Sequence, residues 1–399
     1  MWLVPFCLLI GLIIWWALEY RVHQRNLSRI PIRIHINGTR GKSSVTRLIA
    51  WGLMGGGLRV VAKTTGSSPR FIVQGQEEVI VRRGHANIKE QISIVRKATK
   101  FRPDALVVEC MAIEPELQYI SEHKLIRSTL GVITNVREDH IDSMGPTLDR
   151  IADALAGTIP SNGMLFTAEH HLADRLRACA LRAGSKFFEV WADSISDEEM
   201  EKFSYMEHKE NVALALAVCT HLGVERERAL ESMWRVTPDA GALRLYCIRE
   251  FDREVYLVNI FAANDPESTM LAVKRVGLQE KKEYPVVVIF NNRADRLDRT
   301  RQLIPVLARE ISADSYIIIG DYTEMVKELL VKAGLSEKKV LVLSKGEPQA
   351  VYDLLLSFAH RITGVPSPVV ALGLGNIGGR GMEIARFFAT RGEVCSGLP

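Results

Sequence analysis

The chain has 399 residues, a quarter of them charged, and a net charge of only +4. That length suggests two domains of roughly 150–200 residues, each large enough for a full core. So small a net charge, with no patch of interleaved basic and aromatic residues, argues against a nucleic-acid partner. The six cysteines, at 7, 110, 179, 219, 247 and 395, form no CxxC pair. Cys179, Cys219 and Cys247 sit among apolar neighbours, which fits a reduced compartment better than a disulfide scaffold or a zinc site.

The first segment, MWLVPFCLLIGLIIWWAL, runs 18 residues without a charge. A bilayer span takes about 17–25 such residues. Trp15 and Trp16 suit an interfacial belt, and Arg21, Arg25, Arg29 and Arg33 follow, as they do on the cytoplasmic side of a span. No basic stretch precedes the run and no small-x-small cleavage site follows it, unlike a signal peptide. The expectation is a transmembrane anchor over residues 1–20, single-pass in the cell membrane, with the rest of the chain cytoplasmic.

Ile32, Ile34 and Ile36 alternate as in a strand, and VTRLIAWGLM (45–54) has apolar residues at helical spacing. Between them stands GTRGKSS, residues 38–44. Strand, glycine loop, Gly-Lys-Ser and helix form the context of a phosphate-binding loop. Backbone N–H groups and a helix N-terminus offer positive potential to an anion. Lys42 would reach the outer phosphates and Ser43 would hold Mg²⁺, with Gly38, Thr39, Arg40, Gly41 and Ser44 completing the cradle. The common loop has four residues between its glycines. Here Gly38 and Gly41 have two, and Ile36 stands where the first glycine is expected.

Further on, ALVVE (105–109) and LGVITN (130–135) read as buried parallel strands, with amphipathic helical stretches around them. Glu109, at a strand end, is a candidate Mg²⁺ ligand. TNVREDHIDSMGPT (134–147) places Asp139, His140 and Asp142 at the ligand-bearing end of the sheet. Residues 207–235 read as two helices, His208 and Asn211 opening the first. TPDAGALR (237–244) reads as a linker. YLVNI, PVVVIF, SYIIIG, KVLVL and SPVVALGLG are the strands of a second α/β series. NNRADRLDRT (291–300) gathers Arg293, Asp295, Arg296 and Arg299 at a strand end, where guanidinium forks can hold carboxylate or phosphate. GLGNIGG (373–379) lacks the acid-tipped second strand of a dinucleotide site, so a dehydrogenase is set aside.

GTRGKSS resembles the ATP loop of the Mur ligase superfamily, and the Asn-then-DHxD-then-Gly segment after the second strand resembles the same family. KTTGSSPR, VVECMAIEPE, FAANDPEST, NNRADRLDRT and GxGNIGG extend the resemblance over essentially the whole chain. The branch they resemble is the ligase subunit of bacterial poly-γ-glutamate (capsule) synthases, of the PgsB/CapB type. The resemblance implies an α/β fold: an N-terminal transmembrane helix, a P-loop three-layer ATP-binding domain over 30–236, and a smaller Rossmann-like domain over 240–395. It implies an ATP-dependent amide ligase that adds glutamate to poly-γ-glutamate through an acyl phosphate, releasing ADP and phosphate. ATP and Mg²⁺ are the implied cofactors. Lys42, Glu109, His140 and Arg296 would be catalytic, with Ser43, Glu109 and His140 at the metal. Asn211 would contact adenine, and Arg244 resembles the family's linker arginine. Asn264 stands at a substrate-loop histidine position, where Phe261 replaces the family's aspartate. Arg293, Asp295 and Arg299 would meet substrate. The implied partners are glutamate, its polymer and small integral membrane subunits, with a homo-oligomer allowed.

Two departures from Mur enzymes matter. The loop begins about 37 residues into the chain, leaving no room for a UDP-sugar domain, which sets a peptidoglycan precursor aside. The family's modified lysine, about 15 residues past its histidine, is absent; Ala154 or Leu155 stands there. A membrane ATPase driving polymer export and a folate-polyglutamylating ligase are the alternatives. A tyrosine autokinase is set aside because the last 40 residues hold no tyrosine.

Overall fold

The computed structural model describes every residue except 1, 2, 67, 68, 83, 85, 204, 206, 239–242, 251, 252, 264, 278–283, 345, 360–366, 396 and 399. The chain divides into two compact units, Met1–Asp239 and Ala240–Pro399.

The first unit is built on an eight-stranded sheet. Its strands are β1 (Ile32–Asn37), β2 (Val60–Thr64), β3 (Arg70–Val73), β4 (Gln76–Val79), β5 (Ala105–Glu109), β6 (Leu130–Ile133), β7 (Met164–Thr167) and β8 (Lys186–Glu189), in the order β4-β3-β2-β5-β1-β6-β7-β8. The six strands from β2 to β8 in that order run parallel, and β3 and β4 add an antiparallel edge. β5 is buried along its whole length, as parallel strands covered on both faces are. Leu106 and Val108 join Val61, Ile94 and Val95 in one core cluster, while Ile133, Ile151, Leu155 and Leu165 form another. The helices Lys42–Gly55, Lys209–His221 and Arg226–Met233 pack together. Gly52 permits that approach, since a Cβ there would come within 2.6 Å of both Cys219 Sγ and Met233 Cε.

The expected membrane anchor is overturned. Among the described residues no helix is long and apolar enough to cross a membrane. The apolar run also does not end as a separate element. It continues as one helix, Leu3–Ser28, through Glu19, Arg21 and Arg25. The far end of that helix belongs to the first unit: His23 Nε2 meets the carbonyl of Leu125 at 2.9 Å, and Leu27, with Ile30 just past the helix end, is buried in the core. The single-pass location in the cell membrane, the cytoplasmic side that followed from it, and the sequence-based ground for membrane subunits go with the anchor.

The second unit has a seven-stranded sheet: β9 (Arg244–Glu250), β10 (Arg253–Asn259), β11 (Val286–Asn292), β12 (Ser315–Gly320), β13 (Val340–Val342), β14 (Val369–Gly375) and β15 (Glu393–Val394), ordered β13-β12-β11-β14-β10-β9-β15. β10 to β14 are mutually parallel, and β9 and β15 are antiparallel additions. Two clusters cover the sheet, one around Val288, Leu303 and Val326, the other around Ile289, Tyr352 and Phe388. β11 and β14 are neighbours although β12 and β13 intervene in sequence. Such a reversal of strand order opens a crevice at the carboxyl ends of the strands. The loops Arg293–Arg296 and Asn376–Gly379 lie there.

Candidate active site

The loop Gly38–Gly41 follows β1 and opens the helix Lys42–Gly55. Its shape is fixed by two glycines in the left-handed region. Gly38 has φ +129°, and a Cβ on it would lie 2.0 Å from Thr134 Oγ1. Gly41 has φ +79°, and a Cβ there would lie 2.6 Å from Asn211 Oδ1. No larger residue fits either position. Thr39 donates through its hydroxyl to Asn135 Oδ1 (2.7 Å) and accepts from the amide of Arg137 (3.0 Å). Lys42 Nζ folds back onto the carbonyls of Gly38 (2.6 Å) and Thr39 (3.3 Å). Ser44 is half-buried beside it in the first turn of the helix.

Glu109 ends β5, the neighbour of β1, and is buried. Its Oε2 accepts from Ser43 Oγ (2.8 Å) and from the amide of Thr65 (2.6 Å). Gln91 donates to the Glu109 carbonyl (3.3 Å). Gln91 Oε1 and Thr64 Oγ1, both buried, have no hydrogen-bond partner. Lys63 lies fully buried on β2, its ammonium 2.9 Å from Glu90. Burial pushes the Lys63 pKa down, against the opposing pull of Glu90 and Glu109. Glu90, clasped by Arg82 and Lys63, is held below its usual value although burial works the other way. On β1, His35 Nδ1 meets Glu122 at 2.8 Å inside the core. Burial disfavours its charge, but Cys110 and Glu122 outweigh that and raise its pKa to about 9.

His140 follows β6, on the opposite side of β1 from Glu109. It is in the left-handed region (φ 46°) at the start of the short helix Ile141–Met144, with Nε2 3.9 Å from Asp139 Oδ1. Asp142 lies exposed in that helix. Among the described residues no group of three or more His, Cys, Asp or Glu side chains is placed to hold a metal ion. The assembled part is therefore Ser43 with Glu109. Asn211, in the first turn of the helix Lys209–His221, is buried against Gly41, and its amide donates to Glu207 (2.8 Å). Ala154 and Leu155 are buried core residues.

In the second unit Arg244 opens β9, opposite Asn259 of β10. Asn264 lies outside the described residues. Phe261 is buried with its ring against Gly373. Arg293 makes a two-pronged pair with Asp295 of its own loop (2.9 and 2.8 Å), and its guanidinium lies where a Cβ on Gly378 would fall. Arg296 ends the short turn before the helix Leu297–Arg309, and Arg299, one turn in, donates to Asn376 Oδ1 (2.5 Å). Asn291 donates to the carbonyls of Asn376 (2.5 Å) and Gly378 (2.9 Å). Sequence reasoning passed over this buried asparagine pair and over Thr134 and Thr65, while Asn135 was noted only as part of a motif. Strand-end position was their only signal.

Two family profiles match the chain: the Mur ligase middle domain over residues 36–218 and the poly-gamma-glutamate synthase CapB C-terminal domain over 245–391. The PGA synthase CapB of Bacillus subtilis (strain 168) is 37% identical over 385 residues, 95% of each chain. The chain belongs to the CapB family. The capsule biosynthesis protein CapB of Bacillus anthracis is 41% identical over 327 residues, 81% of this chain and 70% of that protein. Among solved structures, the bifunctional folylpolyglutamate synthase/dihydrofolate synthase of Yersinia pestis, complexed with AMPPNP and a Mn ion, has a TM-score of 0.67. It is 14% identical, with 93% of this chain and 92% of that one covered, which makes the shared fold Mur-ligase-like. Membership carries the reaction class: the chain is an ATP-dependent amide ligase.

Proposed function

We propose that the enzyme adds glutamate to a growing poly-γ-glutamate chain, activating a carboxylate with ATP. The relatives named as PGA synthase and capsule biosynthesis proteins support the substrate. The loop supports the nucleotide. The observation that carries the reading is the Ser43–Glu109 hydrogen bond directly beside the Lys42 loop. It sets two hard oxygen donors where a nucleotide's outer phosphates would lie.

Those donors fit magnesium, and the orphaned oxygens of Thr64 and Gln91 show that the surroundings of Glu109 hold unused polar capacity. Ser43 and Glu109 would hold the ion, with His140 across β1 as the further ligand. When bound, it supplies positive charge to the β- and γ-phosphate oxygens. Lys42 exchanges the carbonyls of Gly38 and Thr39 for those oxygens. Asn211 contacts the adenine, and Arg244 is a further nucleotide contact. Arg293, Arg296 and Arg299 hold substrate carboxylates, and Asp295 orients Arg293.

In the first step a carboxylate oxygen of the polymer bonds to the γ-phosphorus and ADP leaves with the bridging electron pair. In the second step the amine of the incoming glutamate bonds to the acyl carbon, phosphate leaves, and the amine's proton passes to solvent. The polymer is destined for capsule or secretion.

The test is ADP release by the purified protein with poly-γ-glutamate primer, adding each of the twenty amino acids in turn, with Lys42→Ala as control. Release stimulated by glutamate alone, with a γ-linked product by mass spectrometry, is the expected result. Release indifferent to amino acids but lost in the control would instead support an ATPase that drives export.

A further inference from the structure

The loop carries a second cation, Arg40, whose backbone is held at both its amide and its carbonyl. The Arg40 amide donates to Asn135 Oδ1 (3.0 Å). Its carbonyl accepts from Thr134 Oγ1 (2.5 Å) and Asn135 Nδ2 (3.3 Å). Both clamps come from the chain just past β6, and Gly38 is pressed against the same threonine. The side chain therefore departs from a rigid base, which is what a precisely aimed catalytic group needs.

Its direction is informative. The guanidinium reaches toward the segment that carries His140, with Nη1 3.4 Å from Asp139 Oδ2. That contact is longer than the 2.7–2.9 Å usual for a charge-assisted pair. The Arg40 side chain is 19% exposed, so an arriving anion can reach it. A terminal phosphoryl group carries more charge than one carboxylate and offers a guanidinium two oxygens at once.

We propose that Arg40 is a catalytic residue. On this proposal it rests against Asp139 and swings onto the γ-phosphoryl group as that group is transferred. The inference rests on reading the loop as an ATP site. As a carboxylate oxygen bonds to the γ-phosphorus and the bond to the bridging oxygen breaks, the electron pair stays on ADP and no proton moves. Charge is spread over the three non-bridging oxygens of the moving group. Lys42 meets that charge as a point, whereas the Arg40 fork spans two oxygens, as an arginine supplied in cis does in other phosphoryl-transfer enzymes.

ADP lacks the group that Arg40 addresses, which separates catalysis from loop structure. The experiment compares the parent protein with Arg40→Met and Arg40→Lys. It measures glutamate-dependent ADP release, and the calorimetric affinity for ADP with and without aluminium fluoride. Arg40→Met should lower kcat by about a hundredfold or more, keep ADP affinity within about threefold, and lose the tightening that aluminium fluoride gives the parent. Arg40→Lys should recover part of kcat. A kcat near the parent's, or a fall in kcat matched by an equal fall in ADP affinity, would overturn the assignment. A parent that binds no ADP, or a Lys42→Ala variant as active as the parent, would remove the ATP-site reading itself. With a working parent and a dead Lys42→Ala control, the Arg40 variants judge Arg40 alone.

Discussion

Glu109 offers one oxygen both to a serine hydroxyl and to a backbone amide, inside the core and one strand away from the phosphate loop. Replacing it with glutamine keeps the shape and removes the charge. Glu109→Gln should lower kcat by about a hundredfold and raise the Mg²⁺ needed for half-maximal rate by about tenfold or more. A magnesium titration at saturating ATP checks both, and an unchanged metal requirement would remove Glu109 from the metal site. His35 gives a pH prediction. Its folded pKa of about 9 lies above its unfolded value near 6.5, so its stabilisation is complete below pH 6.5 and is lost as pH rises through 9. The loss should be on the order of 3 kcal/mol. It is read from urea midpoints at pH 6.5 and 9.5, and His35→Gln should flatten the difference.

Among the elements, the N-terminal helix and the nucleotide-loop helix make the sharpest claims. Among the described residues of Leu3–Ser28, it is the last turns that are tied into the first unit, through His23 and Leu27. Deleting residues 1–18 should therefore leave the unfolding midpoint of the first unit within about 2 °C. Deletion through Ile30, fully buried, should destabilise it by at least about 3 kcal/mol. The helix Lys42–Gly55 carries Arg47, a buried guanidinium paired with Glu77 of β4 and donating to the Thr237 carbonyl (3.1 Å). Glu77→Ala leaves that charge short of its partner and should cost roughly 3 kcal/mol. It should also speed tryptic cleavage after Arg235, two residues before Thr237, in a timed digestion. The element boundaries that eluded the sequence share a cause. β4 (QEEV) and β8 (KFFE) are partly exposed edge strands too short and too polar at their ends to show a strand period. β9 is recruited by antiparallel pairing with β10, a long-range contact that local pattern does not encode. The 18-residue apolar run misled for the opposite reason. Its local signal was strong, but whether it forms a separate span depends on where its helix ends and what that end packs against.

Across the whole chain, legibility followed how local each requirement is. GTRGKSS could be read directly because two glycines, a lysine and a serine must stand at fixed spacing for the backbone to cradle an anion, and Gly38 and Gly41 adopt the conformations that this demands. Glu109 could be read because a carboxylate is rare at the end of a buried strand. The Asn291–Asn376 pair could not, since the two residues are 85 positions apart and meet only when β11 and β14 become neighbours. The fold is shared with folylpolyglutamate synthase at 14% identity, so the architecture tolerates wide change outside such local demands. The central claim, that ATP activates a carboxylate for amide formation, is tested most directly by oxygen tracing. Poly-γ-glutamate primer whose terminal carboxylates carry ¹⁸O is incubated with the protein, ATP and glutamate, and the released phosphate is analysed by mass spectrometry. The account predicts one ¹⁸O in each phosphate, matched one for one by a new γ-linked residue. Phosphate that carries oxygen from water alone, with ADP still released, would contradict it.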